Sequence, residues 1–190
     1  MRETKFRGKV IGEFNELEAL GIIDKKGWVV GNLIQNGNHP MIVGDLVEID
    51  DEYIVHDWWV SVIPESVGQY SGLKGYLSDE FEDSEEKGVY QGDSITIFQE
   101  SLPAGYYLEE YITGIVDIDE TGTAFIIKNA KIESLNENIP RNDGDMEISL
   151  NVPSDEDLKE VFLHHFELTP DDITINGNIY DNPELLEVAK

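Results

Sequence analysis

Apolar and polar residues alternate along much of this 190-residue chain, and a period of two residues predicts a fold built mainly from β-strands. One strand is predicted over 28–34, because an apolar run ends there at a Gln-Asn-Gly-Asn turn signal. A β-hairpin is predicted where two such runs flank the turn sequence Asp-Glu-Thr-Gly at 119–122. Further strands are predicted at 46–49, within 53–62, and at 94–98, 146–152 and 173–180.

Three short stretches carry helix signals instead. The stretch 13–20 has one apolar side and is followed by Gly21, a common helix stop. The stretch 155–166 follows the cap residue Ser154 and has apolar residues three and four apart, which predicts a second helix. Its stripe is formed by Leu158, Val161, Phe162 and His165. An Asn-Pro pair at 182–183 predicts a short C-terminal helix, because Asn caps a helix and Pro suits its first turn.

The charge of the chain is strongly acidic: 13 Lys and Arg stand against 40 Asp and Glu, a formal net charge of −27. Such a chain lacks the basic face that nucleic acids and anionic lipid surfaces require, so we expect no direct binding to nucleic acid or membrane. The densest acidic run lies at 79–86, where like charges repel one another and predict a solvated acidic loop over 76–88. Its acids are Asp79, Glu80, Glu82, Asp83, Glu85 and Glu86.

Two pairs of adjacent aromatic residues are candidates for contact with another protein. Trp58 and Trp59 lie in a predicted strand, where neighbouring side chains point to opposite faces. Either both faces of this strand are covered, or one of the two Trp side chains lies near the surface. Tyr106 and Tyr107 form the second pair. Because aromatic residues are enriched at binding hot spots, these four residues are predicted to contact a partner. Together with the six acids of the 79–86 run, they form the predicted partner-binding set.

No catalytic residue, metal ligand or cofactor is assigned from the sequence. The chain has no Cys, which excludes disulfides, thiol nucleophiles and Cys-based metal sites. The turn around Asp119 has part of the spacing of a calcium loop, but Lys128 stands where the bidentate Glu is required. The polar N-terminus lacks the apolar run of a signal peptide, and no stretch of 18 apolar residues could span a membrane. A cytoplasmic protein is therefore expected.

Several longer stretches are specific enough to compare with a known family. One is Val-Ile-Pro-Glu-Ser-Val-Gly-Gln-Tyr-Ser-Gly-Leu-Lys at 62–74, followed by Tyr-Gln-Gly-Asp at 90–93. Another is the C-terminal segment 173–186, and the segments 5–8 and 27–34 belong to the same set. Together they resemble the YopX-like family of phage and prophage proteins. The resemblance implies a mainly β fold with a small SH3-like barrel after the Tyr-x-Gly-Asp turn, and a phage or prophage origin. It carries over no catalytic residues.

The expected organisation has three parts. Residues 1–75 form an N-terminal β region, 76–88 form the acidic loop, and 89–190 form the SH3-like barrel region with the C-terminal strand and helix. The expected fold class is mainly β, with several coiled antiparallel sheets and an SH3-like barrel. To these are added a short N-terminal helix, one helix near 155–166 and a short C-terminal helix.

Three functional hypotheses are open at this point. The first is a non-enzymatic phage accessory protein that binds a host or phage protein as a regulatory module. The second is an acidic DNA mimic, which presents carboxylates where a basic cleft of a host DNA-binding or defence protein expects phosphates. The third is a hydrolase that uses carboxylates. With 40 Asp and Glu in the chain, some carboxylates will lie close together, although no spacing marks one pair as catalytic. Self-association into a homo-oligomer also stays open.

Overall fold

The computed structural model describes residues 4–12, 15–78, 85–101, 108–135 and 156–188. Thirteen strands and two short α-helices occur among these residues, so the predicted mainly β fold is confirmed. The chain divides into two compact units, Met1–Gly72 and Leu73–Lys190, which we call unit 1 and unit 2.

Unit 1 contains an antiparallel sheet and a separate two-stranded hairpin. The sheet has the order β7-β1-β2-β3-β6, and β4 pairs with β5. Helix α1 (Asn15–Ala19) precedes β2, and Gly21 follows it with a φ of 70°, so this predicted helix is confirmed. The strands are β1 (Phe6–Lys9), β2 (Trp28–Ile34), β3 (Met41–Val43), β4 (Leu46–Ile49), β5 (Ile54–His56), β6 (Trp59–Ser61) and the first part of β7 (Gly68–Leu77).

The core of unit 1 lies on one face of its sheet. Val29, Ile42, Val60 and Val62 are buried there, and Ile42 lies directly opposite Val60 in the β3–β6 pair. Neighbouring side chains of a strand point to opposite faces, so each strand that contributes to this core also presents residues to the other face. The strands predicted at 28–34 and 46–49 are confirmed.

Unit 2 is a mixed sheet in which the C-terminal strand has a neighbour on each side. The order is β12-β11-β10-β9-β13-β7, with β8 also paired to β7. Strand β13 is antiparallel to β9 and parallel to β7. Among the described strands no pairing closes this sheet, so the SH3-like barrel expected here is not closed. The elements are the end of β7, β8 (Lys87–Tyr90), β9 (Asp93–Ser101), β10 (Leu108–Ile118), β11 (Phe125–Leu135), β12 (Glu156–Phe162), β13 (Ile173–Asn178) and helix α2 (Leu185–Val188).

Several predictions in unit 2 are confirmed. Strands β10 and β11 pair on either side of the turn at 119–122, as the hairpin signal indicates. The strand predicted at 94–98 lies within β9, and the C-terminal strand and helix are β13 and α2. The core of the unit includes Ile95, Ile97, Ile127 and Ile173. The strand predicted at 146–152 lies outside the described residues.

The helix predicted over 155–166 is wrong. Residues 156–165 form β12 (Glu156–Phe162) and a 3₁₀ turn (Leu163–His165) instead. Strand β12 pairs antiparallel with β11, and Val161 lies opposite Ile127. The ladder of backbone hydrogen bonds to a neighbouring strand therefore outweighs a short local spacing that also suits a helix.

Candidate functional site

The residues predicted to contact a partner lie in different parts of the chain. Trp58 and Trp59 belong to unit 1, whereas Glu85 and Glu86 belong to unit 2 and immediately precede β8. The other members of the set lie outside the described residues. They are Tyr106, Tyr107, Asp79, Glu80, Glu82 and Asp83.

Glu85 and Glu86 are the described acids of the 79–86 run. Glu86 Oε2 lies 2.9 Å from Lys74 Nζ, and Glu85 Oε2 lies 3.5 Å from Lys87 Nζ. All four side chains are exposed to solvent, where an ion pair contributes only about 0–1 kcal/mol. The pairs therefore do little to stabilise the fold, and they leave both carboxylates at the surface.

Trp58 has a packing role in unit 1. Its ring lies over the backbone of Gly31 and Gly44, where a Cβ at Gly31 would stand 3.0 Å from the ring Cη2. A Cβ at Gly44 would overlap the ring Nε1. The half-buried ring packs against the core, and the Trp58 carbonyl accepts a hydrogen bond from the Gly44 N–H at 3.0 Å. These contacts place most of the Trp58 side chain within the fold.

Trp59 is the exposed member of the pair, with 64% of its surface accessible. It begins β6, and the next residue, Val60, is buried opposite Ile42. Alternation along the strand therefore turns the Trp59 side chain away from the core. Of the two alternatives open from the sequence, the structure has one Trp near the surface.

A hairpin arm at residues 45–57, which we call the β4–β5 arm, concentrates exposed apolar side chains. Thirteen large hydrophobic residues are exposed in the described part of the chain, and six of them lie in this arm. Extended exposed apolar patches are rare on soluble monomers and are typical of binding surfaces. The six residues are Leu46, Val47, Ile49, Tyr53, Ile54 and Val55.

The pairing register distributes these side chains over both faces of the arm. Ile49 lies opposite Ile54, and the two are 67% and 65% exposed. Glu48 lies opposite Val55 on the other face, because neighbouring residues of a strand alternate. The Tyr53 hydroxyl donates a hydrogen bond to Glu48 Oε1 at 3.0 Å, which places Tyr53 on the same face. Neither face of the arm is buried in the fold.

Backbone hydrogen bonds close the base of the arm, next to the β3–β6 pair. The Gly44 N–H donates to the Trp58 carbonyl and the Asp57 N–H to the Asp45 carbonyl, both at 3.0 Å. Nearby, His56 Nδ1 lies 3.1 Å from the Gly44 carbonyl oxygen. Beyond this base, β4 and β5 pair with no other described strand, so the outer edge of each is open. Open strand edges are surfaces to which another chain can add.

The β4–β5 arm is acidic as well as apolar. Residues 45–57 include six acids and no Lys or Arg. Three acids are consecutive at 50–52, where the Asp50 N–H donates to the Tyr53 carbonyl at 3.0 Å and closes the tip. Carboxylates therefore border the exposed apolar residues. The six acids are Asp45, Glu48, Asp50, Asp51, Glu52 and Asp57.

Asp119 organises the turn between β10 and β11. Its carboxylate accepts hydrogen bonds from the Thr121 hydroxyl and from the backbone N–H groups of Ala124 and Thr123, the latter two at 2.8 Å. These bonds favour the charged form and lower the pKa of Asp119 from 3.8 to about 2. The sequence that partly matches a calcium loop thus forms a turn that is held by the Asp119 carboxylate. No group of three potential metal ligands occurs in the described residues.

The Tyr-Gln-Gly-Asp motif forms a buried turn between β8 and β9. Asp93 is almost fully buried, and its Oδ2 accepts a hydrogen bond from the Tyr90 N–H at 2.8 Å. Gly92 has a φ of 89°, its N–H donates to the Val116 carbonyl at 2.8 Å, and its carbonyl accepts from the Ile179 N–H at 3.0 Å. The motif therefore ties β10 and the C-terminal segment to this turn, which is a role in the fold.

Sequence patterns predict the strands of the arm but not its exposure. The signal is visible in hindsight, because two aliphatic runs flank three consecutive acids and neither run has a wholly polar face. Whether such strands join a sheet depends on pairing with distant residues, which local patterns do not define. The predicted contact set therefore lacks the arm, although it includes Trp59 next to it.

No family model, no curated protein and no solved structure matches this chain. No helix in the described ranges is long and apolar enough to cross a membrane.

Proposed function

We propose that this protein is a non-enzymatic accessory protein of the YopX-like phage and prophage family, which binds a protein partner in the cytoplasm of a bacterial host. The resemblance at 62–74, 90–93 and 173–186 supports the family. The observation that carries the function is the β4–β5 arm, which exposes six large apolar residues on two open-edged strands.

Burial of the arm by a partner would be favourable. Each Å² of apolar surface removed from water contributes roughly 25 cal/mol, and the best-exposed residues, Ile49 and Ile54, face the solvent together. Trp59 follows the arm in the chain and adds an exposed aromatic side chain, the type most often found at binding hot spots. The arm and Trp59 therefore form the proposed partner-binding surface.

Site-specific photo-crosslinking tests this proposal. A photoreactive benzoylphenylalanine replaces Ile54 in the arm, and a matched variant carries it at Glu120, an exposed residue of the β10–β11 turn. Each protein is irradiated in a lysate of the bacterium that carries the gene. We expect adducts of discrete mass from position 54 and none of the same mass from position 120. Equal adduct patterns at the two positions, or none at position 54, would overturn the proposal.

A further inference from the structure

We infer that the partner of the β4–β5 arm is a protein that presents an apolar surface bordered by Lys and Arg. The inference rests on the proposed function, because it specifies the chemistry of the partner that the arm binds. It follows from the combination of exposed apolar residues and uncompensated carboxylates within one short hairpin.

The apolar residues define the centre of the contact. Ile49 and Ile54 form one cross-strand pair, and both stand well clear of the core. A partner that covers them must offer apolar surface, because burying them against polar groups would leave those groups without hydrogen bonds. Binding surfaces of this kind have an apolar centre that excludes water and a polar rim.

The carboxylates define the rim. The arm has six acids and no Lys or Arg, so its own residues supply no compensating cation. In the described part of the chain, the carboxylates of the three tip acids, at 50–52, make no hydrogen bond or ion pair with another side chain. Potentials across protein interfaces are complementary in sign, and a rim of carboxylates therefore fits a rim of Lys and Arg.

The same charge argues against two other occupants. A second copy of this chain would bring another six carboxylates to the contact, and like charges that face each other are unfavourable. An anionic membrane surface would repel the tip acids at 50–52 for the same reason. A basic protein surface is the occupant that satisfies both the apolar and the charged residues of the arm.

The two kinds of residue have separable effects on binding. Exposed rim charges act over a Debye length, about 30 Å at 0.01 M and about 8 Å at 0.15 M salt, and mainly change the association rate. Apolar contacts at the centre mainly change the dissociation rate. Replacing the tip acids should therefore produce a salt-dependent effect, and replacing Ile49 and Ile54 a salt-independent one.

The purified full chain is tested with a defined probe, a short fluorescein-labelled helical peptide of Lys and Leu, by fluorescence anisotropy. The tip variant is Asp50→Asn, Asp51→Asn, Glu52→Gln. Its matched control changes the same number of charges outside the arm, at three exposed acids: Glu65→Gln, Glu120→Gln, Glu167→Gln. The apolar variant is Ile49→Ser, Ile54→Ser, and its far-UV circular dichroism checks that the chain is folded.

We expect the tip variant to bind the peptide about tenfold more weakly than the control variant at 0.01 M salt, with the difference shrinking as salt screens the charges. The apolar variant should bind about tenfold more weakly at both low and high salt. The binding of a peptide in which Ser replaces every Leu should not be weakened by the substitutions of the apolar variant. Equal binding by the tip and control variants, or no effect of the apolar variant, would overturn the inference.

Photo-crosslinking from position 54 is repeated with the tip substitutions or the control substitutions added to the same chain. This experiment distinguishes failure of this inference from failure of the proposed function. Adducts from position 54 that decrease with the tip variant, but not with the control variant, support the inference. Adducts that persist unchanged with the tip variant overturn the inference and leave the proposed function standing. Adducts with the mass of two chains identify a second copy as the occupant and also overturn it. An absence of adducts from position 54 overturns both.

Discussion

Replacing Ile173 with Ala tests whether the C-terminal strand is part of the core of unit 2. Ile173 begins β13, is only 1% exposed, and lies opposite Ile97 in the β9–β13 pair. On its other side, Gly75 of β7 has no side chain, so its backbone approaches Ile173 closely: a Cβ there would lie 2.5 Å from the Ile173 carbonyl oxygen. Ile173 is thus enclosed by both neighbouring strands, and the space left by truncation cannot easily collapse.

The expected loss of stability is large compared with the total. Truncating a fully buried Ile to Ala removes apolar burial and leaves a cavity, which together cost about 2–5 kcal/mol. The free energy of unfolding of a typical domain is about 5–15 kcal/mol. With a urea dependence of about 2 kcal/mol per M, the midpoint of unfolding should fall by about 1–2.5 M.

The assay is urea unfolding followed by far-UV circular dichroism, with Ile54→Ala as the matched control. The control makes the same chemical change at an exposed position of the β4–β5 arm, so we expect a change within about 0.5 kcal/mol. Equal midpoints for Ile173→Ala and the wild-type chain would refute the reasoning, because they would show that β13 is not packed in the core. A large effect of Ile54→Ala would equally contradict the exposure of the arm.

Three further predictions concern other sites. Gly75→Ala should destabilise the protein by about 1–3 kcal/mol in the same urea assay, since the new Cβ meets backbone that cannot move aside; unchanged stability would argue against this close approach. The Asp119 carboxyl should titrate with a pKa of about 2 when its titration is followed by NMR. Because the folded pKa is lowered, the contribution of this carboxylate to stability is present above pH 4 and is lost as the pH falls towards about 2. A normal pKa of about 4 would contradict the turn hydrogen bonds. Trp58→Ala should lower stability by about 2 kcal/mol or more and Trp59→Ala by less than about 0.5 kcal/mol; the reverse order would contradict their burial.

Elements with strong local signals were predictable from the sequence. Strand β2 occupies the predicted residues 28–34, because its apolar run ends at a turn signal that needs no tertiary information. The turn at 119–122 is similar, since Asp119 makes its hydrogen bonds to residues within five positions. Such local chemistry is encoded in neighbouring residues and survives any arrangement of the rest of the chain.

Elements that depend on distant pairing were not predictable in the same way. The stretch 155–166 has a spacing that suits a helix, but the open edge of β11 offers it a ladder of backbone hydrogen bonds as β12. The exposure of the β4–β5 arm has the same origin, because β4 pairs with β5 and not with the sheet of unit 1. In both cases the deciding neighbour is specified by the fold as a whole, and local periodicity carries no information about it.

The length of the arm bears on its proposed role. Strands β3 and β6 are antiparallel neighbours, and such strands are usually joined by loops of about 2–5 residues, whereas residues 44–58 separate them here. A long exposed connection without a role in contacts would be expected to be polar, yet this one exposes six large apolar residues. Exposed strands with open edges also favour association between copies, and the six carboxylates of each arm oppose it. Length, apolar surface and acidity are thus the properties that the proposed role requires: an exposed contact surface whose charge disfavours a second copy and favours a basic partner.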